Sequence, residues 1–175
     1  VGELIRSTVL KRATGKRHET SIDWATAVDE EFKNLPAEGE DEVRARYEKT
    51  EALAELAASR FSVLIGPAGT GKTTLLSILC RCPEISRDGI LMLAPTGKAR
   101  VRLQEVAGRS GVKSFQAQTL AQFLLRSSPP RYDGPTSRYR LTGGAGDKGA
   151  RTVIVRGTRR SCRMVLMKSS EAPRS

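Results

Sequence analysis

The residues with the clearest chemical purpose are Gly66-Pro67-Ala68-Gly69-Thr70-Gly71-Lys72-Thr73, which fit the pattern G-x-x-x-x-G-K-[ST], with Thr74 directly behind. Each part has a task at a triphosphate. The glycines open backbone conformations closed to other residues, so that successive N–H groups converge on anionic oxygens. Lys72 brings a point charge to the β- and γ-phosphates, and the Thr73 hydroxyl takes one position on Mg²⁺. The pattern depends on its setting, a strand leading in and a helix leading out.

That setting is present. Phe61-Ser62-Val63-Leu64-Ile65 is a short apolar run of the kind found in parallel strands covered on both faces, and Lys72 to Leu79 reads as a helix aiming its positive end at the loop. Ahead of the strand, Glu42 to Ser59 is rich in helix formers, with Ala52, Leu53, Leu56 and Ala57 on one face. Behind it, Gly89 to Ala94 reads as a second buried strand and Gly97 to Ala107 as a second helix. Val112 to Phe115 reads as a short strand, Ala117 to Leu125 as a helix and Thr152 to Val155 as a strand. The alternation predicts an α/β fold, a parallel sheet with flanking helices.

The flanks differ. Val1 to Ile22 shows no sustained period, Ser21 to Phe32 reads as a helix with Trp24, Val28 and Phe32 on a core-facing stripe, and Pro36 to Asp41 reads as a linker. Residues 1–41 are therefore expected to form a tail, a short helix and a linker, and residues 42–155 the nucleotide-binding lobe. Ser127 to Ala150, rich in Ser, Pro and Gly, reads as an insertion or loose loop. From Arg151 onward seven Lys/Arg stand against the single acid Glu171, and residues 156–175 read as a basic, loose tail.

The formal charge of +11 favours a polyanionic partner, nucleic acid or triphosphate, without choosing between them. Cys80, Cys82, Cys162 and the single His18 fit no usual zinc spacing, which argues against thiolate-bound metal. No stretch approaches the ~20 apolar residues of a membrane span, and no secretory n-region and h-region are seen, so the cytoplasm is the expected compartment.

Taken together, Gly66 to Leu76 (GPAGTGKTTLL), Leu93 to Leu103 (LAPTGKARVRL) and Ala117 to Leu124 (AQTLAQFL) resemble the first motor domain of RecD-like superfamily 1 DNA helicases. The resemblance covers roughly Ala52 to Val155 and implies a RecA-like lobe, incomplete here, that binds ATP with Mg²⁺. It also implies single-stranded DNA contacts at Pro95, Thr96, Gly97, Lys98 and Thr119, and a second motor lobe as partner. A hydroxyl, a loop N–H and an ammonium at a helix start are groups that position phosphate without reading bases.

The chain departs from the family pattern in two places. The stretch Tyr47 to Leu56 holds no glutamine of the sort that reads adenine there. Where the family strand ends in Asp-Glu, Val153-Ile154-Val155 is followed by Arg156-Gly157. A shifted reading frame or broken gene copy after Val155, a nucleotide-binding relic, and a wrong alignment of this strand with the family's are the three explanations, in that order. The expectation is an ATP-binding first lobe that hydrolyses poorly on its own. A regulatory nucleotide-binding module and a small-molecule kinase are the alternatives.

Overall fold

The computed structural model describes residues 2–35, 39–67, 69–87, 89–109, 111, 115–127, 130–133, 138–141, 152–156 and 163–168. Its elements are α1 (Gly2–Ala13), α2 (Trp24–Glu31), α3 (Glu40–Ala58), β1 (Phe61–Ile65), α4 (Lys72–Arg81), α5 (Pro83–Ser86), β2 (Ile90–Ala94), α6 (Gly97–Arg109), β3 (Phe115–Thr119), α7 (Leu120–Ser127), β4 (Pro130–Asp133), β5 (Arg138–Leu141), β6 (Thr152–Arg156) and β7 (Arg163–Lys168). Five strands form one sheet in the order β1-β7-β6-β2-β3, and β4 pairs with β5 separately.

β2 pairs in parallel with β3 on one side and β6 on the other. β7 is antiparallel to both β6 and β1. Since β1 and β6 both run against β7, they run the same way as each other. The carboxyl ends of β1, β6, β2 and β3 therefore lie at one end of the sheet, where ligands of open α/β sheets bind.

Packing explains why these segments hold. All five residues of β2, Ile90 to Ala94, are buried, as its continuous apolar composition requires of an inner strand. Met92 and its β6 partner Ile154 are fully buried in one cluster with Leu53 of α3, Leu76 and Leu79 of α4 and Leu103 of α6. Trp24 and Val28 bury the stripe of α2, whose cap is Asp23, its carboxylate accepting from the amides of Ala25 and Thr26. Ser21, the cap expected from sequence, instead donates its hydroxyl to Glu84.

The structure corrects several expectations. β1 is not doubly covered: it forms a sheet edge, with Val63 42% and Ile65 63% exposed, and its neighbour is antiparallel. Apolar runs do not distinguish an inner strand from an edge. Arg163–Lys168, assigned to the tail on charge, is a strand inside the sheet. Its apolar quartet Met164-Val165-Leu166-Met167 between two cations was the signal that charge counting hid. Gly2–Ala13, expected to belong to a loose tail, is a helix with no buried residue. β3 starts at Phe115 and extends to Thr119, taking residues read as helix, while Val112 lies outside the described residues.

Candidate functional site

The phosphate loop runs from the end of β1 into the first turn of α4. Gly69 and Gly71 have φ of +88° and +76°, the left-handed region that strains any L side chain. Gly71 is also the N-cap of α4, and the first helical bond runs from the Leu75 amide to the Gly71 carbonyl at 3.0 Å. The amides of Lys72, Thr73 and Thr74 thus belong to the first turn, which has no carbonyl of its own helix to receive them. With the helix dipole they make an anion-binding end.

The Lys72 ammonium folds back into the loop. Nζ donates to the Gly66 carbonyl at 2.8 Å, to the Thr70 hydroxyl at 2.9 Å and to the Pro67 carbonyl. Thr70 Oγ1 in turn donates to the Pro67 carbonyl at 3.0 Å. All three ammonium donors are used within the loop mouth, so the charge is positioned where polyphosphate oxygens would replace those acceptors. Ala68 lies outside the described residues.

A cleft of about 690 Å³ opens beside the loop, within the ~300–1,000 Å³ of small-ligand sites. Gly66, Pro67, Gly69, Thr70, Gly71, Lys72 and Thr74 line it. Thr73 is exposed on the helix turn and is not among the lining residues. The opposite wall comes from Phe32, Ala45, Glu48 and Lys49, none of which the motif reading found. Phe32 carried a signal, but a stripe residue reads as core; Lys49 carried none. The glycine cradle, the folded-back ammonium and the helix end are the donor set that a nucleoside triphosphate requires.

The second set of expected residues stands three strands away. Pro95 and Thr96 turn the chain from β2 into α6, and the Thr96 hydroxyl accepts from the Ala99 amide at 3.3 Å as a helix cap. Gly97 opens α6 and Lys98 is exposed on its first turn. Thr119 ends β3, and with Gln122 it forms a capping box: Thr119 Oγ1 accepts from the Gln122 amide at 3.1 Å, and Gln122 Oε1 accepts from the Thr119 amide at 2.9 Å. The T-x-x-Q spacing of Thr119 and Gln122 is the sequence signal for this cap. At a strand spacing of about 4.8 Å, β1 and β2 stand roughly 14 Å apart, so the two sets share one sheet end without sharing a cavity.

Arg156 ends β6 at that same end, level with Met164 of β7 and one residue past the Val155–Leu93 pair. Gly157 lies outside the described residues. Among the described residues no three His, Cys, Asp or Glu side chains gather into a metal site. Glu48 is the carboxylate lining the cleft. Cys80, behind the loop on α4, is buried and its thiol is pushed up to about 12 by desolvation first, then by Cys82, so it stays protonated and inert. No helix among the described residues is long and apolar enough to cross a membrane.

Comparison with known proteins gives the same assignment. The AAA domain family matches residues 45–156, well over half the chain. An ATP-dependent RecD2 DNA helicase of Deinococcus radiodurans is 41% identical over 63 residues, 36% of this chain and 9% of that protein. An uncharacterized protein of Methanocaldococcus jannaschii is 33% identical over 108 residues, 61% of this chain and again 9% of the relative. The chain thus spans about 9% of the length of these curated relatives. Its motifs, its strand-loop-helix geometry and this match agree: the chain belongs to the AAA domain family, as a RecD-like P-loop nucleotide-binding module.

Proposed function

We propose that the chain is the ATP-binding first motor lobe of an ATP-dependent DNA helicase. Gly66 to Thr74 hold the triphosphate of ATP, with Lys72 at the β- and γ-phosphates and Thr73 on Mg²⁺. Mg²⁺, when bound, would supply charge neutralisation at the triphosphate. Pro95, Thr96, Gly97, Lys98 and Thr119 position single-stranded DNA by its backbone. A second motor lobe, as a partner, closes on the nucleotide, and the cytoplasm is the setting.

The observation that supports this most is the shared sheet end: the phosphate loop follows β1, while two helix caps with phosphate-positioning groups follow β2 and β3. A nucleotide site and a nucleic-acid surface at one end of the sheet suit coupling, which would appear as a change in nucleotide affinity when DNA binds. The test is nucleotide affinity with and without a single-stranded oligonucleotide. Coupling predicts a change in ATP affinity with DNA; the same affinity in both conditions removes the motor role.

A second reading is favoured by one observation. β6 ends in Arg156 where the family places a carboxylate, which suits a regulatory module that binds nucleotide without turning it over. On that reading ATP binds and DNA has no effect.

A further inference from the structure

The cleft beside the phosphate loop continues past Gly71 to the wall made by Phe32 and by Lys49 on α3. Phe32 lies ahead of the segment matched by the family. Its ring is half-buried and packed against the core cluster from the end of α2.

Arg46 fixes that ring. Its guanidinium, on a side chain only 14% exposed, donates to the carbonyls of Phe32 at 3.3 Å and Leu35 at 2.6 Å and pairs with Asp29 at 3.2 Å and Glu42 at 3.3 Å. It also stands 5.7 Å from the ring centroid. An aromatic side chain held at its own carbonyl by a four-partner guanidinium is a preorganised surface rather than a loose one.

Lys49 connects this surface to the loop. Its Nζ lies 5.1 Å from the Phe32 centroid, and its Cε lies 3.8 Å from where a Cβ on Gly71 would stand. The ammonium donates to the Ala45 carbonyl of its own helix at 3.3 Å and has no carboxylate partner among the described residues. It is a cation held by weak contacts between an aromatic face and the N-cap of α4.

We propose that Phe32 and Lys49 form the nucleoside end of the site: the ring stacks on the base, and the ammonium moves from the ring to the phosphate nearest the ribose. This rests on the reading of Gly66 to Thr74 as a triphosphate loop and extends it. Stacking uses the π-face that every base has, so this end holds the base by contact area and not by its hydrogen-bonding edge. That agrees with a stretch Tyr47 to Leu56 that offers no glutamine to read adenine.

The experiment is calorimetric titration of the full chain with ATP, GTP and inorganic tripolyphosphate in the presence of Mg²⁺. The parent binds ATP and GTP alike and both more tightly than tripolyphosphate. Phe32→Leu loses on the order of ten-fold for both nucleotides while tripolyphosphate affinity is unchanged, and Phe32→Tyr, which keeps a ring, recovers the loss. Lys49→Met weakens ATP binding without lowering the melting temperature. Unchanged ATP affinity in Phe32→Leu overturns the proposal, as does an equal loss for tripolyphosphate, since that marks damage to the loop. If Lys72→Ala binds all three ligands as the parent does, the triphosphate loop itself fails, a result distinct from failure of the nucleoside end alone.

Discussion

Ala94 and Thr119 are partners in the parallel pairing of β2 with β3, and this register sets the caps of α6 and α7 side by side at the end of the sheet. Two helix starts, a hydroxyl at each and the exposed ammonium of Lys98 present phosphate-positioning groups without base-reading ones.

This predicts salt-sensitive, sequence-indifferent binding of single-stranded oligonucleotides, followed by fluorescence anisotropy. Lys98→Ala lowers the slope of log affinity against log salt by about 0.7, one phosphate contact on a single strand. Thr96→Ser retains the cap and the hydroxyl and leaves binding intact, whereas Thr96→Ala costs affinity and about 1 kcal/mol of stability. A parent slope that Lys98→Ala leaves unchanged assigns DNA binding to other cations.

Catalysis is expected to be poor. Arg156 is the last residue of β6, the position at which the resemblance leads one to expect a Mg²⁺-associated carboxylate, and arginine stays cationic near neutral pH. Losing transition-state contacts of this kind costs about 10³ or more in rate. Arg156→Asp with Gly157→Glu strengthens Mg²⁺-dependent ATP binding more than it restores turnover. Vigorous DNA-stimulated ATP hydrolysis by the unaltered chain, lost in Lys72→Ala, contradicts this and places the catalytic acids elsewhere.

The placement of β6 has its own test. Ile154 is fully buried and pairs with Met92, so Ile154→Ala removes packed volume from the centre of the cluster. The expected cost is about 2–5 kcal/mol, read as a shifted denaturant midpoint with unchanged slope. A cost near zero removes β6 from the core.

Acid should loosen the amino-terminal segment. Glu55 is held below its ordinary value of 4.5, by the hydrogen bond from Arg17 first and then that from Ser59, and the Arg17 pair ties the segment ahead of α2 to α3. A depressed carboxylate adds stability that is complete above 4.5 and is lost as pH falls through the lowered native value. The melting temperatures of the parent and Glu55→Gln therefore differ slightly at pH 7 and converge below pH 4.5. A gap independent of pH assigns the difference to something other than this charge.

The sequence announced the loop and the helices better than the sheet. Gly66 to Thr73 is legible because left-handed glycines and a helix start demand particular residue types at fixed spacing, and Gly69 and Gly71 adopt those conformations. The buried faces of α3 and β2 followed from periodicity and from a continuous apolar run. Strand order did not: nothing local to Phe61–Ile65 says that it pairs antiparallel with Arg163–Lys168, because pairing is a long-range choice. The far wall of the cleft was hidden for the same reason, since Phe32 and Lys49 meet Gly71 only through tertiary packing.

On the proposed function, the loop from Gly66 to Thr74 binds ATP through the ammonium of Lys72 and the amino end of α4. Calorimetric titration of Mg²⁺-ATP into the chain and into Lys72→Ala tests it most directly. The parent should show saturable, Mg²⁺-dependent binding and the variant a loss of at least ten-fold in affinity, about 1.4 kcal/mol or more. Equal affinity of the two proteins for ATP would contradict it.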